Sequence, residues 1–590
     1  MTHLLDASVR AGLASFFACV GAASAAPVFT EVSEQAGIDT RFIPNGYPGD
    51  TALQSGGAAV ADFNNDGWPD IFLPQGGTGQ DRLYINQQDG TFSEESTQWG
   101  LSVRRMRSAG MAVGDFDNDG YQDLFVVNYG NFPFAPNLTD NVLLRNTGPD
   151  GNGQFRFENV AQQAGVAQIA DLVAGTGATF GDIDLDGDLD LFVSSWVVNA
   201  NGNRLFENNG DGTFTRVPPE RMPVPGTTLR GFTPNFADLN GDRYPELLLA
   251  NDFRTSRLYA NVIPQGGDAV YEDITLEAGI FGDCNAMGAV LADFDNDGLL
   301  DWFITNIYVE VSNPPCGNTL FRATGETTAS GVPVYEDVAF ERGVANSGWG
   351  WGTTAFDFDN DGDPDIATTG GWPSWLNEPA RLFVNNGAGV FSNQEAQAGL
   401  DWLGQGRSLV HLDYDLDGRV DLLFTERDGP ARLYRNESTL PGNWVRVDLD
   451  TSGNPCLAPR GFGALVTVNA NDESRTQLLD GRTTFLGQSE RVLHFGVGPD
   501  EIIESIEVSW VDGFTTTLTD VPVNQTVTIS ATRPADFDTN GVLNFFDIAA
   551  FLAAYANADP RADFDRDGAV GPGDVNAFVS RFVAPCGDAR

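Results

Sequence analysis

Short apolar runs, each closed by Gly, Asn or Asp, recur in groups of four from residue 57 to residue 436. In the first group they fall at 57–63, 70–74, 82–86 and 91–95, with Asp89-Gly90 as the hairpin turn before the last run. Third runs recur from Arg204, Arg257, Asn318, Arg381 and Arg432, and fourth runs from Phe157, Tyr271 and Tyr335, the latter each followed by an A-G or R-G turn. Runs this short, evenly spaced and punctuated predict four-stranded antiparallel units. The seventh unit stops at Asn436 without a fourth run, and the missing one stands at 29–37 with no unit before it. The N-terminal segment is therefore expected to close a ring against the last unit, an arrangement that leaves few unpaired sheet edges.

Downstream the pattern changes twice. Residues 440–531 alternate apolar and polar positions, as at Val445, Val447 and Leu449, which predicts a small β-rich, sandwich-like domain that extends the ring. After Pro534 the period becomes helical: Ile548, Phe551, Leu552 and Tyr555 stand at i, i+3, i+4 and i+7, and Val575, Phe578, Val579 and Phe582 repeat them 27 residues later. The expected fold is mainly β: a seven-bladed β-propeller over 26–438, the β-rich domain over 440–531, and a small α-helical module over 532–590.

Between the first two runs of each unit lies a nine-residue acidic loop of the form D-x-D-x-D-G-x-x-D. The fifth copy shows it in full, with Asp293, Asp295, Asp297, Gly298 and Asp301. The second, third, sixth and seventh place Asp115, Asp117, Asp119 and Asp123; Asp182, Asp184, Asp186 and Asp190; Asp357, Asp359, Asp361 and Asp365; and Asp413, Asp415, Asp417 and Asp421. The first has Asp62, Asn64, Asp66 and Asp70. The fourth, with Asp238, Asn240, Asp242 and Glu246, carries Arg243 where the others have glycine, and is expected to be the weakest site. Calcium takes six to eight oxygen ligands at about 2.3–2.6 Å and tolerates irregular cages, which suits carboxylates at positions 1, 3 and 5, a bend at 6 and a closing acid at 9. Two further twelve-residue loops occur in the tail. Asp536, Asp538, Asn540, Gly541, Asn544 and Asp547 form one; Asp563, Asp565, Asp567, Gly568 and Asp574 form the other. Both keep the ligand order of an EF-hand, with Asp in place of Glu at position 12. The cofactor expected is structural Ca²⁺ at up to nine sites.

These repeats resemble the FG-GAP or VCBS repeats of integrin-type propellers. The segments at Asn443, Gly461, His494, Val508 and Asn524 together resemble an ASPIC/UnbV domain, a pairing similar to the cartilage acidic protein family, including its bacterial secreted members. The tail resembles a dockerin, which implies an anchoring role. Positions 10 and 11, where many cohesin-binding dockerins carry Ser or Thr, are Phe545 and Phe546, then Pro572 and Gly573, a departure that puts a standard cohesin partner in doubt.

Composition agrees with a metal-loaded fold. The net charge of −49 comes from 82 acidic against 33 basic residues, yet 41% of the chain is hydrophobic and 11% aromatic, ample for packed cores. The charge and the lack of a basic stripe argue against nucleic acid; Arg104, Arg105 and Arg107 make a single small cluster. Arg10, the apolar run 11–23 and Ala23-Ser24-Ala25 read as a signal peptide over 1–25, so the chain is expected to be secreted, with no later span long enough for a membrane. Of the later cysteines, 284, 316, 456 and 586, the first two flank one metal loop and suit a disulfide.

No nucleophile elbow, phosphate loop or zincin signature is present, and outside the leader the histidines are His411 and His494 alone. The expectation is a non-enzymatic, calcium-stabilised adhesion or ligand-binding protein for an extracellular glycan or protein, tethered by its tail to a cohesin-like or cell-surface partner. An extracellular polysaccharide-acting enzyme or enzyme-complex component is the alternative. Trp349, Trp351, Trp372 and Trp375 cluster in the sixth unit; Trp372 and Trp375, in a Gly-Gly-Trp-Pro-Ser-Trp loop, are the ligand candidates.

Overall fold

The computed structural model describes residues 28–42, 56–75, 80–101, 108–128, 140–167, 175–196, 203–223, 229–263, 268–312, 315–373, 378–400, 402–439, 442–540, 542–565 and 567–583. The leader, Arg104, Arg105, Arg107, Trp375, Gly541 and Cys586 lie outside them.

The molecule is mainly β. Each acidic loop joins the first two strands of a four-stranded antiparallel unit; among the described residues six of the seven units stand as separate sheets, and the first is extended to six strands by a later hairpin. The first uses Ala58–Ala61, Asp70–Leu73, Arg82–Asn86 and Phe92–Glu94. The seventh uses Gly406–Leu412, Asp421–Glu426 and Arg432–Asn436, and takes Phe29–Glu31 as its fourth strand, pairing Phe29 with Asn436 and Glu31 with Tyr434. First strands of successive sheets pack against one another, and that of the seventh returns to that of the first, so the sheets form a closed ring. Apolar clusters fill the gaps between neighbouring sheets, as where Phe63, Phe72, Val113 and Leu124 meet between the first and second. Burial of such side chains stabilises by about 1.5–3 kcal/mol each.

A recurring asparagine fastens one sheet to the next. The last residue of the third strand, Asn86, Asn146, Asn208, Asn261, Asn385 or Asn436, sends its Nδ2 to the second carbonyl of the preceding metal loop: Tyr414, Phe63, Phe116, Ile183, Phe294 and Phe358, at 2.8–2.9 Å. The fifth sheet has Ala323 at this position. Its junction with the fourth sheet is bridged instead by Asn240 Nδ2 donating to the Ser330 carbonyl at 3.1 Å.

Residues 443–530 form a three-stranded and a four-stranded sheet over a core that includes Val445, Val447, Val466, Val468, Ile506 and Val508. This domain does not simply extend the ring; it caps the face that carries the acidic loops. Leu185 of the third loop is part of the domain's core, Arg460 donates to Asn65 Oδ1 at 2.7 Å, and His494 Nε2 meets Asn360 Oδ1 at 2.7 Å. At Gly418 a Cβ would stand 1.8 Å from the Trp444 ring, so the loop glycine is required for docking as well as for its left-handed backbone, φ 80°.

From this cap a hairpin, Thr483–Thr484 and Gly487–Gln488, enters the ring. Gly487 and Gln488 pair in parallel with Ala58 and Ala59 of the first sheet, and Gln488 exchanges hydrogen bonds with Val113 of the second. Thr483 bonds Thr179 of the third sheet and accepts from Asn235 of the fourth; Thr484 bonds Thr353 of the sixth; Ser489 accepts from His411 N of the seventh. A segment that reaches six of seven first strands lies on the ring's axis. Phe485 at its tip is fully buried, with its ring 5.4 Å from that of Phe232 and 5.1 Å from that of Trp351.

The tail has two helices, Phe545–Ala556 and Pro572–Val583, whose Phe551 and Phe578 rings stack at 4.0 Å. It leans on the β-rich domain through Phe514 and Phe564, at 5.5 Å. Among the described residues no helix is long and apolar enough to cross a membrane.

Candidate metal centres

Six of the seven loops share one backbone course. Position 4 is left-handed, φ 54–60° at Asn65, Asn118, Leu185, Asn296, Asn360 and Leu416, and so is the glycine at position 6. The position 1 carboxylate accepts from the amides of positions 5 and 6, as Asp357 does from Asp361 at 3.2 Å and Gly362 at 2.7 Å. The position 9 carboxylate accepts from the amide of position 2 and from the third strand, as Asp421 does from Tyr414 at 3.2 Å and Asn436 at 2.7 Å. These bonds fix the acids before any ion arrives.

The fourth loop departs from this course. Its glycine is Gly241 at position 4, φ 77°, while Arg243 at position 6 takes φ 81°, a conformation that costs a residue with a Cβ about 1–2 kcal/mol. Asp238 then accepts from Gly241 and Arg243, both at 2.8 Å. The irregular loop and the missing asparagine of the fifth sheet thus fall at the same junction.

Carboxylate oxygens converge within 4.8 Å of one another in Asp115, Asp117 and Asp123; Asp182, Asp184 and Asp190; Asp293, Asp295 and Asp297; Asp357, Asp359 and Asp365; and Asp413, Asp415 and Asp421, groups that could hold a metal ion. Burial, the largest cause, raises their carboxyls: Asp115 and Asp413 to about 7, Asp293 to about 6, Asp301 and Glu246 to about 8, and Asp123, Asp190, Asp357, Asp365 and Asp421 well above the usual range. Oδ1 of Asp117, Asp295, Asp359 and Asp415, all at position 3, is buried and accepts no hydrogen bond. A buried carboxylate oxygen with no donor is costly unless a cation meets it, and an oxygen-only donor set suits a hard divalent ion. The residues fit such an ion.

In the tail, Asp547 accepts from Asp538 N at 3.2 Å and Asn544 N at 2.8 Å, and Asp574 from Asp565 N at 2.9 Å, so position 12 is tied to position 3 in both loops. Asp536 accepts from Asn540 N, Asp563 from Gly568 N, and Asp563 Oδ1 lacks a partner. Asp567 accepts from Ala569 N at 2.9 Å.

Three loops hold arginines that sequence reading passed over. Arg145 lies 2.5 Å from Asp117 and 3.3 Å from Asp119; Arg322 lies 3.3 Å from Asp295; Arg435 lies 2.8 Å from Asp415 and 3.2 Å from Asp417, which Arg419 also pairs. All but Arg419 occupy one position of the third strand, where the other sheets place Ile85, Glu207, Ala260 and Val384.

The remaining sequence candidates are packed. His411 Nδ1 lies 2.6 Å from Thr354 Oγ1; burial lowers His411 well below its usual value and His494 to about 3, so both stay neutral. Trp372 stacks on Trp349 at 4.9 Å and on Trp351 at 5.8 Å, above Phe485, and remains half-buried. It is thus part of an aromatic cluster with Trp349, Trp351 and Phe485. Cys284 and Cys316 form a disulfide with Cα atoms 5.9 Å apart, and Cys456 is also disulfide-bonded.

Residues 62–126, 115–193, 195–249 and 238–304 match the FG-GAP-like repeat profile, and residues 457–535 match the ASPIC and UnbV profile, so the chain carries FG-GAP-like repeats followed by an ASPIC/UnbV segment. Among curated proteins the chain is similar to Cartilage acidic protein 1. It is 24% identical to that of Xenopus tropicalis over 532 residues, covering 85% of this chain and 69% of the relative. The mouse and human proteins are also 24% identical, with 84% of this chain and 75% and 73% of theirs covered. A solved Agrocybe aegerita lectin, described as recognising non-reducing terminal N-acetylglucosamine, aligns with 64% of this chain and 86% of its own at 17% identity and TM-score 0.36, too distant to carry an argument.

Proposed function

We propose that this chain is a secreted, calcium-stabilised ligand-binding protein. Seven four-stranded units in a closed ring are read as the blades of a propeller, the loops as calcium sites, and the tail as a dockerin-like tether for a cell-surface partner. The supporting observation is the division of labour between the ring's two faces. One face is sealed by the C-terminal domain, whose hairpin fills the axis. The other opens on Trp196, Ile307, Trp349 and Trp372 over Phe485, a rigid aromatic floor of the kind that binds extracellular glycans or proteins. Binding proceeds without turnover, since the buried histidines are neutral and the carboxylate clusters are assigned to metal.

A glycan and surface-protein screen with full-length protein tests this. Saturable binding in Ca²⁺, lost in EDTA and weakened about tenfold or more by Trp372→Ala, supports it; turnover of a polysaccharide, or no ligand at all, overturns it.

Calcium affinity is expected to differ among loops. A guanidinium beside position 3 neutralises the acids before the ion does, so its removal favours Ca²⁺ by roughly 1 kcal/mol at these half-exposed sites. Arg145→Gln and Arg435→Gln should each raise the affinity of one site about fivefold in calorimetric titration. Equal or weaker binding would show that these arginines support the ligands instead of competing with the ion.

A further inference from the structure

The connections at the far ends of the third and fourth sheets carry a second feature, some 20 Å from the metal loops along strands of six residues, Asp190–Ser195 and Glu246–Asn251. There the Arg230 guanidinium lies 4.4 Å over the Trp196 ring and 5.2 Å over the Phe253 ring. Its one hydrogen bond among the described residues goes to the Trp196 carbonyl at 3.4 Å, and no carboxylate there stands within ion-pair distance of it. In a chain with 82 acids and 33 bases, an arginine kept from every carboxylate among the described residues is notable.

Its surroundings are built to keep it so. Phe253 and Arg254 are consecutive left-handed residues, φ 59° and 61°, a strained course for side chains of this size. Asp252 holds the turn, accepting from Trp196 Nε1 at 2.9 Å, Asn285 Nδ2 at 2.7 Å and Phe253 N at 2.9 Å. Arg254 N donates to the Cys284 carbonyl at 3.0 Å, tying the turn to the Cys284–Cys316 disulfide. The result presents Phe253 56% exposed, with its ring 6.5 Å from that of Trp196.

We propose that Trp196, Arg230 and Phe253 form a binding site for an acidic sugar, a pyranose carrying a carboxylate or sulfate. This rests on the ligand-binding reading above and names the ligand chemistry. A planar guanidinium already held on aromatic faces offers its remaining donors as a fork, the geometry that matches two oxygens of one carboxylate or sulfate. The aromatic rings suit the apolar face of the same sugar. A single fixed cation on a chain of strong negative charge favours a short acidic unit over an extended polyanion.

Calorimetric titration of the full-length protein in Ca²⁺ with tetragalacturonate, a sulfated heparin disaccharide and neutral maltotetraose tests this and separates carboxylate from sulfate. At least one acidic probe should bind, with affinity reduced tenfold or more by Arg230→Gln and by Phe253→Ala, and the neutral probe should bind at least tenfold more weakly. Arg230→Lys, which keeps the charge without the fork, should fall between. Unchanged melting of each variant shows that the fold is intact; if Arg230→Gln unfolds the chain, the Arg230→Lys and Phe253→Ala comparisons decide. Acidic-probe binding unaffected by these substitutions, equal binding of maltotetraose, or Arg230-dependent binding confined to an acidic peptide would overturn the proposal. A ligand lost in Trp372→Ala but untouched by Arg230→Gln would overturn it while leaving the ligand-binding reading intact.

Discussion

Removal of calcium by EDTA is expected to lower the melting temperature by about 20 °C or more. An ion at a hundredfold its dissociation constant stabilises by about 2.7 kcal/mol per site, so a few of the seven ring loops together match the 5–15 kcal/mol that holds a typical domain folded. The loss should depend on pH in a defined sense. Burial raises Asp115 and Asp413 to about 7 and Asp301 and Glu246 to about 8, above their unfolded values near 4. Without the ion, the folded state holds protons that the unfolded chain has released. Its stability is therefore fullest in acid and falls as pH rises through about 6 to 8. Calcium competes with those protons, so the gap between the two melting curves should widen across the same interval. Differential scanning calorimetry at pH 5.5 and pH 8 checks both statements; a gap that narrows with pH would contradict the assignment of these acids to metal.

The second large effect is expected at Phe485. Its side chain is fully buried on the ring axis, between Phe232 and Trp351, and its loss leaves a cavity where the sheets converge. Truncation of a buried Phe costs about 3–5 kcal/mol. Phe485→Ala should therefore lower stability by that amount in urea unfolding. Because the hairpin also joins the cap to the ring, it should separate one unfolding transition into two. Leu486→Ala, at the adjacent buried position, should act in the same direction. A change below about 1 kcal/mol would mean that the hairpin contributes little to holding cap and ring together.

Much of this architecture was legible in the chain because it is written locally and repeatedly. The loop acids stand at fixed offsets, and the orphan strand at 29–37 signals its pairing with Arg432–Asn436 by elimination. The helices of the tail follow from apolar spacing alone. What was missed is carried by contacts between distant residues. Nothing near Thr483 or Gln488 marks a plug, because partners such as Val113 lie 375 positions away. The Asn shared by six of the seven third strands was visible as a repeat, but its bond to the preceding sheet has meaning only once the ring is closed. Arg145, Arg322 and Arg435 could have been found by aligning third strands against the loops. For Trp372 the sequence shows a Gly- and Pro-flanked loop tryptophan but not its neighbours: its stacking on Trp349 and Trp351 becomes visible only in the folded chain.

Counting the ions tests the account most directly. Full-length protein dialysed against millimolar Ca²⁺, then against metal-free buffer, is measured by atomic emission alongside a chain truncated after residue 531. Clustered carboxylates with partnerless buried oxygens predict up to nine calcium ions per full chain in the first dialysis and two fewer for the truncated one, with most of the ring ions retained in the second. One calcium or none in either chain would contradict it.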